Sequence, residues 1–150
     1  MPKNRSKRPS SRLNAAELRS QLEDADISVV EGVVAGCALV AYADGWVTPE
    51  ETRRMRGLIL RFEPATALGA AAAVQMFEEI TLEFASDHDA GENRALQLVS
   101  RLADQPHHSE LLIDTCCAIA EADGGLDAEE REMILKLCVL LGVDPKQHGL

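Results

Sequence analysis

Residues 43–51 read ADGWVTPEE, and residues 122–130 read ADGGLDAEE. The two stretches stand 79 positions apart, which pairs Asp44 with Asp123, Gly45 with Gly124, Val47 with Leu126, Glu50 with Glu129 and Glu51 with Glu130. Each is a polar turn between segments of helical periodicity. Glycine suits the left-handed position after a helix end. Thr48 and Asp127 are good N-caps for the helix that follows, and Pro49 stands at a first helical position, where its missing N–H costs nothing. Glu51 and Glu130 fall three residues after those caps and close capping boxes, while Glu50 and Glu129 favour the positive end of the helix dipole. A turn used twice predicts two related helix–turn–helix units.

Outward from the turns, the segment at about 28–43 carries Val29, Val30, Val33, Val34, Cys37 and Val40 among small residues. It is apolar almost all round, so it reads as a buried helix. Gly32, Ala35 and Gly36 would let a neighbouring backbone come close. Its counterpart at about 108–122 carries Leu111, Leu112, Ile113, Cys116, Cys117 and Ile119. These two helices are expected to touch at the centre of the fold. An amphipathic helix follows each turn: Met55, Leu58, Ile59 and Phe62 line one at about 49–62, and Ile134, Leu137, Cys138 and Leu141 line the other at about 128–142. Between the halves, Ala73, Phe77, Ile80 and Phe84 mark a helix at about 68–86, and Ala95, Leu98, Val99 and Leu102 another at about 92–103. SDHDAGEN at 86–93 reads as a polar break between them, and DQP at 104–106 as the end of one helix and the start of the next. Asn14 with Glu17 opens a first helix at about 15–25, and Pro145 stops the last, leaving room for one short turn. No segment reads as a strand. The expectation is an all-α, single-domain bundle of about seven helices over residues 14–150, built from two similar halves.

Composition agrees with that class. A chain of 150 residues with 46% hydrophobic and only 3% aromatic residues packs through small and aliphatic side chains. No apolar run reaches the length of a bilayer span, and the N-terminus lacks the apolar region of a signal peptide, so the expected location is the cytoplasm. The net charge of −10 is unevenly placed. Residues 1–13 hold Lys3, Arg5, Lys7, Arg8 and Arg12 and no acid, about +5, and read as a disordered basic tail able to meet anionic lipid or an acidic surface. The remaining body, near about −15, argues against nucleic acid as a partner. Cys37, Cys116, Cys117 and Cys138 form no CxxC and sit in apolar segments, so they read as buried thiols.

The acidic turns admit a second reading. Their spacing, Asp-Gly-x-apolar-Thr/Asp-x-x-Glu, matches positions 5, 6, 8, 9 and 12 of an EF-hand loop, but Val40 or Ile119 would fall at position 1 and Tyr42 or Glu121 at position 3. A full EF-hand is therefore excluded. Two such turns brought together would offer Asp44, Glu51, Asp123, Asp127 and Glu130, hard oxygen donors suited to calcium or magnesium. On the residues alone, helix joining outweighs cation binding, and both stay open. Asp87, His88, Asp89 and Glu92 form a smaller mixed cluster with transition-metal ligand types, for which a solvated loop is the plainer account. His107 and His108 have no cysteine or carboxylate at zinc-site spacing. No Ser-His-Asp pattern, phosphate-cradling loop or nucleophile motif is visible, so catalysis is not expected.

Taken together, ADGWVTPEE, SRLADQP, ADGGLDAEE and the ending LGVDPKQHGL resemble the TerB family of tellurite-resistance proteins over about residues 28–150. The resemblance implies a compact helical bundle of two similar halves, without enzymatic activity, in a stress-response system that confers tellurite resistance. It implies a divalent-cation site at Asp44, Glu51, Asp123, Asp127 and Glu130. It also implies association with a TerC-like membrane protein and with calcium-binding TerD-type proteins, and so membrane association through a partner. Thr48 stands where the second turn has Asp127, which leaves the first turn poorer in charge. A pure interaction adaptor without a metal site is the alternative.

Overall fold

A computed structural model describes residues 14, 16, 17, 20, 27–46, 48–50, 52, 53, 56, 57, 70–122 and 124–150. Those residues contain five α-helices and a short 3₁₀ turn: α1 (Ile27–Ala41), α2 (Ala70–Ser86), α3 (His88–Ser100), α4 (Pro106–Ala122), α5 (Ala128–Leu141) and the turn Pro145–His148. Two further expected helices fall largely outside the described residues. Helical conformation is seen at 16, 17 and 20, and at 49, 50, 52, 53, 56 and 57. The capping box at the first of them is formed: the Glu17 N–H donates to Asn14 Oδ1 at 2.8 Å, and the Asn14 N–H donates to Glu17 Oε1 at 2.9 Å. The basic tail 1–13 and the stripe of Met55, Leu58, Ile59 and Phe62 lie outside the described residues.

α1 is the axis of the bundle. Residues 32–40 are buried without a break, and α1 packs against all four other helices. That follows from a helix with no polar face to offer water. The expected contact between α1 and α4 is present. Close approach depends on two missing side chains: a Cβ at Gly36 would stand 2.9 Å from Leu112 Cδ2, and one at Gly32 would stand 2.8 Å from Leu102 Cδ1. Phe77, Ile80 and Phe84 of α2, Leu98 and Val99 of α3, and Ile134, Leu137 and Leu141 of α5 complete the core.

One expected boundary is wrong. SDHDAGEN is not a polar break over 86–93, because only Asp87 lies between α2 and α3. Asp87 caps α3, its Oδ1 accepting from the Ala90 N–H at 3.2 Å. The helices can turn this tightly because residue 91 is glycine: a Cβ there would stand 2.7 Å from the Phe84 backbone. α4 likewise starts at Pro106, two residues before the expected 108.

Beyond α5, the 3₁₀ turn folds back onto α4. The His148 ring is 0% exposed and its Nδ1–H donates to Asp114 Oδ1 at 2.5 Å, with Asp114 itself 1% exposed. Glu110 Oε1 lies 3.8 Å from His148 Nε2. Hydrogen bonding is what makes so buried a carboxylate tolerable.

Candidate functional site

The first acidic turn grows out of the end of α1. The Gly45 N–H donates to Tyr42 O at 3.0 Å, and Gly45 takes φ +89°, a left-handed conformation that a side chain would strain. Asp44 Oδ1 accepts from the Trp46 N–H at 3.0 Å, which leaves the Trp46 indole on the outside, 71% exposed. The next helix is then begun by Thr48, whose carbonyl accepts from the Thr52 N–H at 3.0 Å. Behind this turn sits Tyr42. Its ring packs on Phe77 and Phe84, its hydroxyl lies 2.9 Å from Thr81 Oγ1 and 3.2 Å from Thr52 Oγ1, and its carbonyl accepts from His88 Nε2 at 3.4 Å.

The second turn begins in the same way and then departs. The Gly124 N–H donates to Glu121 O at 3.2 Å, the counterpart of the bond from Gly45 to Tyr42, with φ +106°. One residue later, Gly125 also takes positive φ, +113°, and its N–H reaches back to Ala120 O at 2.8 Å. Trp46 stands at the matching place in the first turn. A residue with a Cβ avoids that conformation, so its N–H is satisfied by the Asp44 side chain instead. Both turns converge again at the helix start, where the Arg131 N–H donates to Asp127 O at 2.9 Å.

Asp127 and Glu130 form the expected capping box: Asp127 Oδ1 accepts from the Glu130 N–H at 2.7 Å, and Glu130 Oε1 accepts from the Asp127 N–H at 3.0 Å. Of the five expected cation ligands, Asp44, Asp127 and Glu130 are described, and Glu51 and Asp123 lie outside the described residues. The three described carboxylates each commit an oxygen to the backbone of their own turn. Among the described residues, no group of three or more His, Cys, Asp or Glu side chains is placed to hold a metal ion. The described carboxylates therefore do not make a cation site by themselves. The smaller cluster resolves the same way: Asp87 is a cap and His88 packs edge-on against Phe84.

All four cysteines are free and buried. Hydrogen bonding with Cys37, and then burial, raises the Cys116 thiol well above its ordinary range. Burial pushes the Cys138 thiol up to about 11. Such thiols are poor nucleophiles.

A second feature was not expected. α3 and α5 leave an open groove of about 690 Å³ between them, lined by Asn93, Leu96, Gln97 and Ser100 on one side and Lys136, Val139 and Leu140 on the other. Val139 is 85% exposed and Leu140 41%. The sequence carries the signal. The run Leu137–Cys138–Val139–Leu140–Leu141 is five apolar residues long, and a helix with one buried face cannot cover all five. No helix of the described residues is long and apolar enough to cross a membrane.

A family model described as tellurite resistance protein TerB matches residues 30–149. Among curated proteins, a tellurium resistance protein TerB from an Alcaligenes species is 27% identical over 84 residues, covering 56% of this chain and 69% of that protein. No solved structure gives a significant match.

Proposed function

The chain belongs to the TerB family of tellurite resistance proteins, and from that premise we propose that it serves tellurite resistance as a non-catalytic docking module. The observation that carries this reading is the groove between α3 and α5 with Val139 and Leu140 open to water. The outer face of an amphipathic helix is ordinarily polar, and α5 keeps to that with Glu129, Glu132 and Lys136 until it reaches Val139. Aliphatic side chains gathered in a concave, exposed place favour contact with another protein, since each gains on the order of 1–3 kcal/mol when water is removed from it. The partners are other proteins of the same system, a TerC-like membrane protein and TerD-type proteins among them. The module works in the cytoplasm and meets the membrane through such a partner.

The test is Val139→Glu in a host whose tellurite tolerance depends on this chain. Val139 touches little of the core, so the melting temperature should stay within error while tolerance is lost. Full tolerance in that variant refutes the groove as the docking surface.

The paired acidic turns support a second reading, a calcium or magnesium site. What favours it is that Asp44 and Asp127 are exposed and that each uses Oδ1 alone to hold its turn. Glu51 and Asp123 would have to complete the ligand set. Calcium titration followed by amide NMR tests it: shifts confined to residues near both turns support a shared ion, and a spectrum unchanged at millimolar calcium rejects it.

A further inference from the structure

We infer that the α3–α5 groove receives the outer ridge of α2 from a second copy of this chain. The inference rests on the docking reading and names the occupant. Asn93, Leu96, Gln97 and Ser100 follow i, i+3, i+4, i+7 along α3, and Lys136, Val139 and Leu140 follow i, i+3, i+4 along α5. Two such rails leave a trough of the shape that a third helix fills. No carboxylate lines it, and its single charge is Lys136. A matching helix must therefore bring an aliphatic side chain and, one turn away, a carboxylate.

α2 presents that pair. Its exposed ridge runs through Ala72, Gln75, Glu79, Leu82 and Ala85, and Leu82 is 68% exposed. The acids beside the ridge are engaged, Glu78 with Arg56 at 3.3 Å and Glu83 with Arg94 at 3.2 Å. Neither Glu79 nor Lys136 has an ion-pair partner among the described residues. Glu79 precedes Leu82 by three positions, as Lys136 precedes Val139. One register therefore sets Glu79 opposite Lys136 and Leu82 over Leu96, Val139 and Leu140, with α2 of one copy parallel to α5 of the other. Ala72 and Ala85 at the ends of the ridge are small enough to permit close approach. The net charge of −10 on each copy opposes the encounter, so the association is weak and gains from moderate salt. Ridge and groove are different faces, so the contact is head-to-tail and propagates into a ring or an open chain.

Sedimentation velocity on the full chain over a range of concentrations tests this. The parent should gain mass with concentration. Leu82→Glu spoils the ridge and keeps the groove, whereas Val139→Glu spoils the groove and keeps the ridge. Each variant alone should stay monomeric with an unchanged thermal melt, and an equimolar mixture should form a one-to-one dimer and stop there. Glu79→Lys and Lys136→Glu should each weaken association and, combined in one chain, restore it. A parent that stays monomeric to its solubility limit overturns the inference. So does a mixture that stays monomeric, or association that survives both glutamate variants. If the parent is monomeric yet Val139→Glu abolishes tellurite tolerance, self-association is wrong and docking to another protein stands. If the mixture dimerises while Val139→Glu keeps full tolerance, self-association stands and the docking role in resistance is wrong.

Discussion

The hydroxyl of Tyr42 lies 2.9 Å from that of Thr81, so the residue that leads into the first acidic turn is tied to the middle of α2. Thr81 is buried, and without Tyr42 its hydroxyl would lose that bond. Tyr42→Phe keeps the ring packing on Phe77 and Phe84 and removes only the oxygen. A loss of about 0.5–1.5 kcal/mol in urea unfolding is expected, together with faster amide exchange at residues 43–46. Unchanged stability and exchange would mean that the turn is held by other contacts.

Gly91 and Gly36 are both crowded, but by different things. At Gly91 the obstacle is the Phe84 backbone, and at Gly36 it is the end of the Leu112 side chain. A backbone cannot step aside, whereas a leucine tip can. Gly91→Ala should therefore cost about 1–3 kcal/mol, the range for overpacking, and Gly36→Ala less. The reverse order in thermal melts would contradict this account of the α2–α3 corner.

The buried thiols give a pH signature. Burial holds the Cys138 thiol up at about 11 in the folded chain, above the value of 9.0 for a free thiol. Across that window the unfolded state releases a proton that the native state keeps, so stability falls as pH rises. Cys138→Ala should make the fall shallower. In the same vein, a thiol-specific disulfide reagent at neutral pH should react slowly with the native chain and rapidly with all four cysteines in urea. Rapid stoichiometric labelling of the native protein would rule out a closed core.

The cation reading makes its own demand. If the acidic turns share an ion, calcium, magnesium or manganese should raise the melting temperature, since a ligand that binds only the native state stabilises it. Asp44→Asn with Asp123→Asn should abolish that gain while leaving ion-free stability the same or slightly higher, because like charges are removed. Parent protein that shows no gain with any of the three ions, or a double variant that keeps the gain in full, ends the proposal.

Much of the fold can be read from local pattern. The valines of α1 announce a helix with no wet face, and the capping residues Asn14, Asp127 and Glu130 do what their spacing says. What resisted reading was decided by tertiary contact. Asp, His and Gly in SDHDAGEN have loop composition, yet one cap and one glycine against Phe84 make the segment helical. The groove left a trace in the overlong apolar run ending at Leu141, but its depth depends on how α3 and α5 lie together. Asp114, the one charged residue in LLIDTCC, signals a buried partner; nothing in KQHGL identifies that partner as His148.

That partner is 34 positions away in the chain, which sets an order on synthesis. α4 contains every residue it needs to become helical well before His148 leaves the ribosome. Until then its Asp114 carboxylate lacks the His148 hydrogen bond that helps offset its burial in the core. The nascent chain should therefore hold α4 against α1 only loosely and lock late. Stalled nascent chains in which His148 is still inside the exit tunnel should be far more sensitive to protease than those in which it has emerged.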